Sequence, residues 1–359
     1  MPRGDPVGHK NIPLGLLRLC LAMTLKYYLS FEIMIDIRQS PQYADYLKSY
    51  GWIIEKAGQW NIFIKKFPLI GSLLKIQRIS PPIPFAEIKN LGKKHHAFKT
   101  IIEFSSGPLS PQSPQSPLLP QNYKICRSPF LPTKTLVLDL KKSEKEIFDC
   151  LPKEKKRLLK RIQEKKEIII KEGTAEDFIK IKSRGLLEKN ILPLGVKKEI
   201  NTLWQSFFPD NIKILIAYQC HSRESRNLYK YLYRFRIPTS HSFAKYRLVP
   251  GFAGRGKSGM TIIPIAAALF LFYDKKAYYW QAASTKQGKK LSAPSLLVWE
   301  GIKIAKKLKG EVFDFEGIFD ERFPIESWKG FSHFKKEFGG EEINFSSPLS
   351  SSKFPLIFL

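Results

Sequence analysis

The sequence predicts an α+β protein of two domains, with mixed sheets covered by helices. Strand-like and helix-like patterns alternate along all 359 residues, and no sharp internal repeat interrupts them. A chain of this length, 43% hydrophobic, can bury a sizeable core.

The elements follow in order. Residues 1–33 read as an extension ahead of a start at Met34. Within it 12–31 is moderately apolar, but Arg18, Lys26 and Pro13 argue against a spanning helix, and no small-residue cleavage site follows. An amphipathic surface helix or a poor anchor are the other readings of that stretch. In 39–52 (QSPQYADYLKSYGW) Tyr43, Tyr46, Leu47 and Tyr50 share a helical face. Strands are expected at 52–57, 61–67 and 69–78, a helix at 85–96 and a strand at 98–104. Residues 105–121 (SSGPLSPQSPQSPLLPQ) are a loop, because Pro at that density blocks regular pairing. A strand at 133–140 precedes a helix running from 143 to 166, opened by a capping box of Ser143 and Glu146. A strand at 168–171, a helix capped by Thr174 and Asp177, a helix at 194–208 and a strand at 211–218 continue the alternation. After the basic, aromatic, Gly-rich stretch 219–258 come strands at 260–273 and 276–283, a helix at 291–308 and a strand at 311–315. An aromatic block at 328–345 and a Ser-rich tail at 346–359 close the chain.

Charge narrows the partners. With 60 Lys+Arg against 32 Asp+Glu the formal charge is +28, which suits nucleic acid, an anionic membrane face or a phosphorylated substrate, although lysines also serve solubility. Cys20, Cys126, Cys150 and Cys220 form no CxxC pair, which fits reduced thiols in a cytoplasmic protein. The six histidines lack ligand spacing, so no metal and no cofactor are expected.

Four constellations carry candidate chemistry. Gly251–Ser258 (GFAGRGKS) satisfies the P-loop string. Pro250 before it, and Gly259 and Pro264 after it, break the strand–loop–helix that the mechanism needs, so the match reads as accidental. Residues 223–236 (RESRNLYKYLYRFR) put Tyr229, Tyr231, Tyr233 and Phe235 on one face of a strand. That suits base stacking beside cations, or an ordinary half-buried strand. In 153–166, Arg157, Arg161 and Lys165 form a stripe at helical spacing, fit to track phosphates or simply to face water. The block 328–340 (WKGFSHFKKEFGG) reads, on its own, as a helix docking Phe331, Phe334 and Phe338 before a glycine cap.

That last block resembles the closing signature of the Fem-type (FemABX) peptidyl transferases, which build peptidoglycan interpeptide bridges. IRQSPQYADYLKSYGW, FIKKFPLIGSLLKIQR, SPFLPTKTLVLDL, IAAALFLFYDKKAYYWQAAST, APSLLVWEGIKIAKKL and VFDFEGIFDERFP agree in order, from about Met34 to Phe345. The resemblance implies two lobes related to the acetyltransferase (GNAT) fold, at 34–132 and 133–345, with a muropeptide cleft between them. It departs from the family in lacking a long coiled-coil arm and in an apparent insertion at 219–258.

The implied activity is transfer of an amino acid from aminoacyl-tRNA to the stem-peptide amine of lipid II or UDP-MurNAc-pentapeptide. A lipid-linked acceptor would bring peripheral contact with the inner membrane face. An aminoacyl-tRNA ester is already activated, so positioning and oxyanion stabilisation suffice. By resemblance, Lys335 stabilises developing negative charge or the tRNA terminus. Lys48, Tyr279 and Phe334 are expected at the muropeptide, and Arg157, Arg161 and Lys289 at tRNA or other phosphates. The competing readings are a GNAT-like N-acyltransferase using another acyl donor, a P-loop nucleotide-binding protein and an RNA-binding module. The first of these lacks an R-x-x-G-x-G loop for coenzyme A.

Overall fold

A computed structural model describes residues 34–105, 122–221 and 261–352. The first sheet is built from β1 (Ile53–Ala57), β2 (Trp60–Phe67), β3 (Gly71–Ile79), β4 (Ala97–Phe104), β5 (Lys124–Ile125) and a late strand, β13 (Leu349–Ser352). Its order is β1-β2-β3-β4-β13-β5. An antiparallel meander passes into the parallel pair β3–β4. A parallel step needs a crossover, and α2 (Phe85–Lys94) supplies it. Ile62, Ile64, Leu74, Ile76 and Ile102 alternate onto the face that buries Ile88 of α2.

The second sheet contains β6 (Lys134–Asp139), β7 (Ile168–Glu172), β8 (Ile212–His221), β9 (Thr261–Tyr273), β10 (Lys276–Ser284), β11 (Val312–Gly317) and β12 (Glu341–Asn344). Its order is β12-β6-β11-β10-β9-β8-β7. Here too an antiparallel run, β8-β9-β10, leads into a parallel pair, β10–β11. The crossover is α8 (Ala293–Lys307). The near-continuous apolar run of β9 follows from having both faces covered. Ala266, Ala268 and Phe270 face the core under α8, whereas Ala267, Leu269 and Leu271 face α5 (Ala175–Leu187) and α6 (Val196–Phe207). That second core also takes Ile37, Tyr43, Leu47 and Phe63, so α1 (Pro41–Lys48) and β2 of the first lobe pack into the second.

Two expectations, the single helix over 143–166 and the Ser-rich tail, are corrected, and two others gain detail. The helix expected over 143–166 is two, α3 (Glu144–Asp149) and α4 (Lys153–Lys165), because Pro152 cannot continue the first and opens the second. The helix expected at 291–308 is preceded by a separate turn, α7 (Lys286–Lys290), with Ser292 left-handed at φ 56° between them. The final block is α9 (Lys329–Lys336) followed by β12. Part of the Ser-rich tail is β13, which returns to the first sheet and pairs with β4, anchored by buried Leu349.

The N-terminal 33 residues, most of the Pro-rich loop, the 223–236 segment and the P-loop octet lie outside the described residues. Strand β9 is nevertheless under way at Thr261, just past the octet, where a P-loop helix would still be in its first turns.

Close approach fixes Gly288 in α7. A methyl there would run into the Ile265 carbonyl and the Ser284 hydroxyl. Gly288→Ala is expected to destabilise the fold by about 1–3 kcal/mol, read as a lower midpoint in urea with an unchanged slope.

Candidate active site

The charged residues buried between the lobes converge on the end of β11. Asp36 caps a short turn, Ile37–Gln39, accepting from the Arg38 amide at 2.9 Å. This sets Arg38 beneath the second lobe, where Nη2 donates to Glu316 Oε2 at 2.6 Å and Nη1 to Asp36 Oδ1 at 3.1 Å. Its guanidinium lies 5.0 Å from the ring centre of Trp280, the residue at which β10 bulges against β9. Aromatic stacking of this kind suits a planar, weakly hydrated cation.

The chain distorts at the acids. Glu316 has φ 61°, and pairing of β11 with β6 slips between Asp314 and Gly317. Asp314 Oδ1 accepts from Thr135 Oγ1 at 2.5 Å and from the Glu316 amide at 2.8 Å. Glu316 keeps one oxygen, Oε1, buried with no partner, as are Arg38 Nε and Arg78 Nε. A left-handed glutamate with an unsatisfied carboxylate oxygen is costly, and such strain collects at functional sites.

Lys335 enters from α9. It is 9% exposed, donates from Nζ to the Gly317 carbonyl at 2.7 Å and lies 4.9 Å from the ring centre of Phe331. An ammonium has three donors, so two remain for other groups. Helix α9 is pinned from several sides. Ser332 Oγ accepts from the Phe319 amide at 2.7 Å. Lys155 of α4, itself buried, reaches Glu337 at 2.7 Å and Ser295 Oγ at 3.1 Å. It also lies over the rings of Phe334 and Phe338.

Burial and mutual charge set the titration of this cluster. Burial pushes the Asp314 carboxyl up to about 6, with the Glu316 charge adding to it. Burial lowers the Lys335 amine to about 8, against the pull of Glu316 and Asp314. Burial would also raise Asp36, but Arg38, Arg78 and Lys276 outweigh it and hold its carboxyl below the usual range. On the first-lobe side, Lys75 is buried with its amine 4.4 Å from the ring centre of Trp52 and 5.7 Å from that of Phe63; burial lowers it to about 8. Nearby, Glu103 receives Gln77 Nε2 at 3.1 Å and the Leu131 amide at 2.7 Å.

Beside this cluster a cavity of about 660 Å³ opens between residues 127–133 and the loop after β11. Phe130, Phe319, Phe323 and Trp328 form apolar walls, with Arg127 and Arg322 at the polar side. Arg322 is committed to Asp320 at 2.8 Å and to the Thr133 and Phe345 carbonyls.

The structure distributes the expected site residues rather than gathering them. Lys335 and Phe334 share α9, with Lys335 in the polar cluster and Phe334 edge-on to Phe338, ring centres 5.5 Å apart. Tyr279 is a core ring, 8% exposed and packed on Phe270 and Phe315. Lys48 sits at the end of α1, exposed and paired with Asp45 at 2.9 Å. Arg157, Arg161 and Lys289 are exposed on α4 and α7. Sequence reasoning missed Arg38, Asp314, Glu316 and Lys155. Arg38 and Glu316 stand 278 positions apart and meet only in the fold. An Arg two positions after an Asp N-cap was the one local signal.

Residues 253–346 match the FemAB family. The crystal structure of FemX superposes with a TM-score of 0.68 at 14% identity, covering 89% of this chain and 93% of that one. L-PGS from Bacillus licheniformis gives 0.52 at 10% identity, covering 98% and 96%. A conserved protein of unknown function from Bacteroides thetaiotaomicron gives 0.53 at 8% identity, covering 86% and 88%. No curated protein sequence matches. Family match and fold together bear out the Fem-type resemblance and the α+β architecture of two mixed sheets. The family match spans residues 253–346, and the superposition on FemX shows a shared fold over most of both chains. Among the described residues no helix is long and apolar enough to cross a membrane.

Proposed function

We propose that this Fem-type chain transfers an amino acid from aminoacyl-tRNA to the stem-peptide amine of a peptidoglycan precursor in the cytoplasm, either lipid II or UDP-MurNAc-pentapeptide. The observation that carries the reading is a buried ammonium, Lys335, bonded to the Gly317 carbonyl and within the electrostatic reach of Glu316, a carboxylate with one buried oxygen, Oε1, that has no partner. The acceptor amine attacks the ester carbonyl and a C–N bond forms while charge gathers on the carbonyl oxygen. Lys335 donates to that oxyanion, and Glu316 Oε1 accepts the proton that the amine sheds. Collapse breaks the ester C–O bond, and the ribose oxygen leaves with the proton that Glu316 took from the amine. Fixed donors in a water-poor site stabilise such charge far better than solvent-exposed ones. The cavity at 127–133 offers aromatic and aliphatic walls with an arginine for the precursor. In this reading Lys48 and Tyr279 serve the muropeptide less directly than Phe334, which holds α9.

The exposed cations Arg157 and Arg161, with Lys289, take the tRNA backbone. Replacing both arginines by Ala is expected to flatten log affinity against log salt by about one to two units, since each lost phosphate contact removes about 0.9. An unchanged slope in filter binding would remove α4 from the tRNA path. The reading itself is tested by radiolabelled amino acid on charged tRNA. Label should pass to a muropeptide precursor, and ribonuclease pretreatment should abolish the transfer. An N-acyltransferase would instead accept a coenzyme A thioester and ignore ribonuclease.

A further inference from the structure

Two apolar tips stand out from the surface on one flank of the molecule. The first is the β2–β3 hairpin, where Phe67, Leu69 and Ile70 are exposed, Leu69 completely so at 108% of its reference area. Leu69 also sits at φ 64°, a left-handed conformation that a leucine adopts at a cost. Neither packing nor backbone preference explains an apolar side chain there. The second tip is the loop between α5 and α6, where Ile191, Leu192 and Leu194 are exposed, Leu194 at 83%.

The two are joined across the Tyr50–Gly51 turn. Lys65, at the base of the hairpin, donates to the Tyr50 carbonyl at 2.5 Å, and Lys198, in the first turn of α6, lies 5.1 Å from the centre of the Tyr50 ring. Single exposed leucines are ordinary, but three exposed apolar side chains close in sequence at each of two tips, with lysines beside them, are not. Lys66, Lys189 and Lys197 are exposed around them. The carboxylates in the same stretches are already paired: Asp45 with Lys48 at 2.9 Å, Glu188 with Arg184 at 3.3 Å and Glu199 with Lys182 at 3.1 Å. The unneutralised charge at the tips is positive.

We infer that these tips form a docking surface for an anionic phospholipid bilayer, with the leucines and isoleucines entering the headgroup–acyl boundary and the lysines meeting lipid phosphates. Charge decides against a second copy of the chain as the occupant, since a symmetric contact would set like-charged lysine rims against each other. The inference rests on the proposed transfer only for its purpose, bringing the enzyme to a membrane-bound acceptor. Its test needs no activity.

The full-length protein is floated with vesicles of phosphatidylcholine alone and of phosphatidylcholine mixed with phosphatidylglycerol. Two double variants, Leu69→Asn with Ile70→Ser and Leu192→Ser with Leu194→Ser, are compared with the parent. Asn tolerates the left-handed backbone, so the first variant keeps or gains thermal stability while losing lipid affinity. We expect binding to the phosphatidylglycerol vesicles, weakened by salt, and a drop of about tenfold or more in partitioning for each variant. Equal partitioning of parent and both variants would overturn the proposal, as would indifference to phosphatidylglycerol. Parent self-association in light scattering that both variants abolish would reassign the tips to a chain–chain contact.

Discussion

Replacing Lys335 by Met is expected to lower kcat for amino-acid transfer by about 100- to 1,000-fold, with little change in KM for the precursor. The ammonium meets full negative charge only in the tetrahedral intermediate, so its loss appears in turnover rather than in ground-state affinity. Met fills the space against Phe331 and spares the packing that Ala would forfeit. Lys336→Met is the control. Its side chain, about 100° further round α9, pairs with Glu342 at 2.5 Å on the outside. The pH profile supplies a second readout. Because burial lowers the Lys335 amine from 10.5 to about 8, the rate should fall as pH rises through about 8. Stability moves the other way. Between about 8 and 10.5 the unfolded chain holds a proton that the folded one has released, so stability rises with pH across that window. The variant should lose that rise. A Lys335→Met enzyme with parental turnover would remove Lys335 from the chemistry.

Arg38→Met should be the most destabilising single change in the site, by about 3–5 kcal/mol, because it leaves Glu316 and Asp36 buried without their cation. Pairing it with Glu316→Gln should recover part of that loss, since the neutral amide no longer needs a counter-charge. Chemical denaturation of the four proteins in the cycle measures the coupling. Additive losses would mean that the 2.6 Å contact is not an energetic pair.

How much of this could be read beforehand depends on the range over which each feature is encoded. The strands β2 and β3 and the two capping boxes are written in neighbouring residues, and they are where the patterns put them. Pro152 could have divided the helix over 143–166, but the unbroken basic run on its far side hid the boundary. Strand β13 was illegible because Leu349–Ser352 carries a single apolar residue. Its pairing is set by β4, some 250 positions earlier, and not by its own propensity. The site divides in the same way. Lys335 was reached through a family signature, whereas Arg38, Asp314 and Glu316 become a cluster only when the first-lobe turn is pressed against the end of β11. Lys155 looked like one more cation on a solvated helix. Its burial against Phe334 and Phe338 follows from the break at Pro152, which turns that face of α4 inward.

The account turns on the identity of donor and acceptor, and the mass of the product decides both. The purified chain is incubated with a set of charged tRNAs, lipid II and UDP-MurNAc-pentapeptide, and the muropeptides are weighed. The account predicts an increment of one or more amino-acid residues on the stem peptide, present only with charged tRNA and strongly reduced for Lys335→Met. An unchanged mass with every charged tRNA, together with acyl transfer from a coenzyme A thioester, would contradict it.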